Sequence, residues 1–81
     1  MATKQAELQA LENGTGCLGK AADDEPLFIL RAQDMTAPST IMLWLEGAMI
    51  MGAPDEKLRE AFELALDMRR WQRGHHHKVP D

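Results

Sequence analysis

The stretch Thr36-Ala37-Pro38-Ser39-Thr40-Ile41-Met42-Leu43-Trp44-Leu45-Glu46-Gly47-Ala48-Met49-Ile50-Met51-Gly52 decides the fold. Thr36 offers a capping hydroxyl, proline is tolerated in a first helical turn, and Gly52 can close the run. The spacing predicts one helix over 36–52. Between Ile41 and Met51 only Glu46 and Gly47 are not apolar. A helix that is apolar all round is buried all round, and a chain of 81 residues cannot surround it alone. Met35, Met42 and Met49 recur every seven residues with Leu45 between the last two, as a helix–helix seam requires. These features predict a homo-oligomer.

Glu46 stands out in that helix. A carboxylate in apolar surroundings must be paired, protonated or turned to a cavity. A pair with Arg31 or an arginine of the last helix in another copy is the economical expectation. As a general base Glu46 would lack any visible partner.

Toward the C-terminus, Gly52-Ala53-Pro54-Asp55 closes one helix and opens the next, which predicts a helix hairpin. The second helix is expected over 54–72. Asp55 and Glu56 sit at its positive end, and Arg69, Arg70 and Arg73 at its negative end. Asp55 and Arg59 are spaced for an i, i+4 ion pair. Leu58, Ala61, Phe62, Ala65 and Met68 form an apolar stripe that Leu64, Leu66 and Trp71 widen. Gly74 is expected to end the helix, leaving residues 75–81 as an irregular tail, solvated at 75–77, with docking of 78–81 on a neighbouring subunit as the alternative. Three adjacent histidines can capture a metal, but consecutive residues on a flexible tail rarely form a prepared site, so no metal is expected.

Toward the N-terminus lies Pro26-Leu27-Phe28-Ile29-Leu30-Arg31-Ala32-Gln33-Asp34. Four large apolar residues after a proline suit a short extended segment or strand, although Leu, Arg, Ala and Gln also favour helix. A lone strand needs a pairing partner, and another copy of the chain is the expected one. In an extended segment Arg31 and Gln33 point to one side and Asp34 to the other. Their roles have two readings. In the first, Arg31 bonds a neighbouring carboxylate and Asp34 caps the following helix. In the second, Arg31 holds an anionic group through its fork of donors while Gln33 reads a polar edge.

Residues 3–13 predict a weakly docked helix, capped by Thr3, with Leu8 and Leu11 as its apolar pair and Gly14 as its left-handed stop. Residues 15–25 read as a linker. Gly16-Cys17-Leu18-Gly19-Lys20 lacks the spacing of a phosphate-binding P-loop, and Cys17 is expected to be a small half-buried side chain. The resulting division is 1–14 helix, 15–25 linker, 26–74 helical oligomerisation domain and 75–81 tail. The fold class is mostly α.

Composition narrows the chemistry. A chain of this length buries only about 60% of the surface its unfolded state exposes, and so depends on reinforcement. Cys17 is the only cysteine, which excludes an internal disulfide or a cysteine zinc cluster and leaves oligomerisation. A net charge of -4 gives no general attraction to nucleic acid. No run approaches the roughly 18 apolar residues of a membrane span, and no basic-then-apolar leader is present. A cytoplasmic protein is expected.

Glu25-Pro26, Phe28, Leu30-Arg31-Ala32-Gln33-Asp34, Ala37-Pro38, Trp44 and Lys78-Val79-Pro80-Asp81 together resemble a pattern in small proteins of phages and prophages. The resemblance spans about residues 17–81 and implies a genomic setting, with no residue role attached. Small phage proteins of this size often act by binding. The expectation is a non-enzymatic, oligomeric sponge that sequesters a small anionic, nucleotide-like signalling ligand without a cofactor. Candidate ligand-binding residues are Arg31, Gln33, Asp34, Trp44 and Lys20. Trp44 and Trp71, the large flat surfaces, also have a plain reading as core or interface. The alternative function is an adaptor or inhibitor that binds a host protein, or an assembly factor.

Overall fold

A computed structural model describes residues 2–76, 78 and 79. Its helices are α1 (Lys4–Glu12), α2 (Gly16–Lys20), α3 (Ala37–Ile50) and α4 (Asp55–Gly74). Among the described residues there is no strand, only one isolated parallel bridge between Asp34 and Lys78. No described helix is long and apolar enough to cross a membrane.

Helices α3 and α4 pack together as a hairpin. The link between them is a Schellman closure: Gly52 adopts φ +82°, its amide donates to Met49 O, and the Ala53 amide donates to Ala48 O. Pro54 then sits extended and Asp55 opens α4. Ala37 and Ile41, from the start of α3, cluster with Ala65 and Met68, from the second half of α4, which makes the pair antiparallel. Leu45 is also buried. These positions on α3 recur at i, i+4 and i+8, so α4 covers one face of a helix that is apolar on nearly all of them.

The N-terminal cap of α3 differs from the expected one. The Thr36 side chain makes no capping bond, and neither does that of Asp34. Instead the Thr36 carbonyl accepts from the hydroxyls of Thr40 (2.8 Å) and Ser39 (3.0 Å), and the Asp34 carbonyl accepts from the Ala37 amide (3.0 Å). On α4 the ion pair forms between Asp67 and Arg70 at 2.9 Å, while Asp55 and Arg59 form none. With Arg70 largely exposed, that pair contributes at most about 1 kcal/mol.

Thr3 caps α1 as its spacing requires, its hydroxyl accepting from the Ala6 amide at 3.1 Å. Gly14 (φ +71°) closes α1 with the same Schellman bonds, Gly14 N–H to Leu11 O and Thr15 N–H to Ala10 O. The stretch read as a linker contains a further helical turn, α2, which packs on α1. Its glycines have a steric purpose, because a Cβ on Gly19 would lie 2.8 Å from the Gly14 backbone. Cys17 is exposed, not half-buried. Neither α1 nor α2 has a buried residue, and neither contacts α3 or α4. Gly19→Ala should therefore cost about 1–3 kcal/mol of local overpacking. Amide exchange should rise across residues 4–20 and stay unchanged in α3 and α4. An equal rise in both helix pairs would show that they are coupled.

Residues 75–81 do not behave as a solvated tail throughout. His75 is exposed but stacks on Trp71, with ring centroids 4.0 Å apart and planes 3° from parallel. Beyond it, the Lys78 amide donates to Gln33 O (2.9 Å), and the Met35 amide donates to Lys78 O (2.8 Å). The pairing partner of the extended segment is thus the chain's own C-terminal stretch. His77, Pro80 and Asp81, also part of the expected tail, lie outside the described residues.

Candidate functional site

Residues 31–34 form a turn with Ala32 and Gln33 at its centre, closed by the Asp34 amide on Arg31 O at 3.0 Å. This replaces the expected extended segment, in which Asp34 would face away from Arg31 and Gln33. Leu30 and Ala32 pack against the α3–α4 cluster. The side chains of Arg31 and Gln33 meet across the turn, with Arg31 Nη2 donating to Gln33 Oε1 at 2.8 Å. The start of α3 then brings Thr36 and Thr40 alongside.

These residues line a groove of about 460 Å³. Its polar lining is Arg31, Gln33, Asp34, Thr36 and Thr40, and Phe28, Ile29 and Leu30 supply apolar surface. Arg31 has no ion pair among the described residues, so most of its five N–H donors face solvent. A planar cation with open donors suits a carboxylate or phosphate. Asp34 offers a carboxylate acceptor, and the threonine hydroxyls can accept further bonds. Phe28 is 85% exposed at the rim, a flat face on which a ring can lie.

The sequence-derived candidates therefore divide. Arg31, Gln33 and Asp34 converge on the groove. Lys20 closes α2 in the other helix pair, and neither it nor Trp44 lines the groove. Phe28, Thr36 and Thr40 belong to it and are not among the ligand-binding candidates read from the sequence. The only signal they carried was proximity to Arg31 along the chain.

Trp44 lines a second, shallower depression of about 560 Å³ with Gly47, Ala48, Met51, Gly52 and Ala53. Thr36, Thr40, Trp44, Gly47 and Met51 fall within one stripe at helical spacing, so a single side of α3 runs from the groove to this depression. The surface beyond is strongly apolar: Leu43 is 69%, Ile50 81% and Met51 86% exposed. Glu46 is exposed as well, and meets no closed apolar environment within the chain.

Among the described residues no group of three metal-ligating side chains comes together. Comparison of the chain with protein-family models, with curated proteins and with solved structures gives no match.

Proposed function

We propose that this chain is a non-enzymatic binding protein of the small phage type, which self-associates through α3 and sequesters a small anionic, nucleotide-like ligand in the groove beside Arg31. The observation that carries the reading is the Arg31–Gln33 pair. A guanidinium with no ion pair among the described residues, oriented by a neighbouring amide on a groove with hydroxyls and an exposed aromatic ring, suits a phosphate beside a flat polar ring. Small molecules released on denaturing the purified protein, identified by mass spectrometry, test this. A phosphate-bearing compound is the expected result.

Self-association rests on separate features. The buried core is small, comprising Ala37, Ile41, Leu45, Ala65 and Met68, while the outer face of α3 is exposed and, apart from Ser39 and Glu46, apolar. Patches of that kind mark interaction surfaces. Gly47 supports the same reading. A Cβ there would meet nothing within 4 Å, and its φ is not positive, so the protomer gives no reason for a residue that costs a helix about 1 kcal/mol relative to alanine. A partner helix approaching the bare backbone between Trp44 and Met51 gives one. Gly47→Leu should accordingly preserve or raise protomer helicity by circular dichroism and lower the mass seen by light scattering. Because the stripe continues to Thr36 and Thr40, a copy docked on it reaches the mouth of the groove.

A second reading is favoured by that same apolar surface: a host protein covers it and the chain is an adaptor or inhibitor. Purified protein that remains monomeric at micromolar concentration with the patch uncovered favours this reading over the first.

A further inference from the structure

The walls of the groove are not self-supporting. Arg31 and Gln33 lie on non-helical chain, anchored from below only by Leu30 and the single methyl of Ala32. Their position is fixed from the other end of the molecule. Gln72, in the last turns of α4, donates through Nε2 to Ala32 O at 2.8 Å and to Asp34 O at 3.0 Å. The two carbonyls flank Gln33, so one side-chain amide pins the backbone on both sides of it. Lys78 adds a second clamp through its backbone, which bridges Gln33 O and the Met35 amide. The chain is aimed toward this clamp by His75, extended at φ -136° and stacked on Trp71. Four hydrogen bonds from residues 72 and 78 thus converge on residues 32–35.

We propose that Gln72 and the backbone of Lys78 are positioning residues for the groove, so that the C-terminal end of the chain acts as a strap that sets the Arg31–Gln33 geometry. The proposal rests on the ligand-binding reading of the groove for its functional meaning, but its structural content can be tested without a ligand. Neither residue has to touch the ligand. A shift of about 1 Å in the 32–34 backbone separates the guanidinium from the other groups it works with, which is enough to lose binding. The hairpin core of Ile41, Leu45, Ala65 and Met68 lies outside the clamp and stays packed when it is released.

The test uses full-length protein and three variants at position 72. Gln72→Ala removes both donors. Gln72→Glu puts a carboxylate against two carbonyl oxygens. Gln72→Lys keeps a donor able to reach both, and serves as the rescue. Site-resolved amide exchange should show Met35 and Lys78 losing protection by roughly tenfold or more in the Ala variant, more in Glu, and little in Lys. Amides of α4, and of α3 beyond Ala37, whose amide shares Asp34 O with Gln72, should be unchanged. In parallel, adenosine 5′-monophosphate and inorganic pyrophosphate are titrated while the Arg31 side-chain Nε–H signal is followed. The wild type and Gln72→Lys should respond, and the Ala and Glu variants should respond at least tenfold more weakly. Unchanged exchange at Met35 and Lys78 overturns the proposal, as does an equal loss of protection throughout α3 and α4, which makes Gln72 merely structural. Exchange that follows the expected order while the wild type responds to neither probe supports the strap and removes the ligand reading instead.

Discussion

Replacing Ile50 with aspartate is expected to convert an oligomer into a folded monomer. Ile50 is 81% exposed on the last turn of α3, so the change removes almost no packing within the protomer. Against a second copy it adds a second carboxylate beside the exposed Glu46, one turn away on the same side of α3, with Leu43 the exposed apolar neighbour and no counter-charge on that face. Burying an unpaired charge costs about 3–5 kcal/mol, which weakens association by roughly 10²- to several 10³-fold. Sedimentation velocity at micromolar concentration should show the mass fall to that of one chain, while helicity is retained. Met49→Asp, on the flank of the same helix, should act in the same direction. If the Ile50 variant keeps the mass of the parent, α3 is not the association surface.

Loss of the Arg31 guanidinium is expected to abolish ligand capture while leaving the assembly intact. Arg31 is exposed, and among the described residues its side chain bonds to Gln33 alone. Arg31→Ala therefore removes little that folding depends on. A charge-assisted hydrogen bond to a ligand anion contributes about 1.5–3 kcal/mol, so binding should fall by roughly 10–150-fold. Calorimetric titration reads the affinity, and thermal melting reads the fold. A variant that melts far below the parent would place Arg31 in the framework of the protein, not in a binding site.

The α3–α4 hairpin was legible because its punctuation is local. A proline near the start of α3 and Gly52-Ala53-Pro54 after it fix the ends of both helices within two or three residues of the expected bounds, 36–52 and 54–72. The meeting of Arg31 and Gln33 has a different origin from the expected one: the two come together across the turn of residues 31–34, which also carries Asp34 to the groove. What escaped were long-range and purely backbone events. Helix α2 is five residues long and contains two glycines, so no periodicity marks it, and its close approach to Gly14 explains those glycines only once the fold is known. The strap is a pairing of Lys78 with Gln33 and Met35, made entirely by main-chain groups, which leave no side-chain signature. Gln72 looked like one more polar residue near a helix end. Its two targets lie 40 and 38 positions away. Thr36 was read as a cap from its position, but in the fold its carbonyl is the occupied group and its residue lines the groove.

Native mass spectrometry of the protein purified from cells that express it tests the central claim most directly, run on the parent chain and on Arg31→Ala. The parent is expected to be an oligomer carrying a small molecule in fixed ratio to protomers, and the variant the same oligomer at the bare mass. A parent that is monomeric, or an oligomer whose mass is that of the polypeptide alone in both proteins, would contradict it.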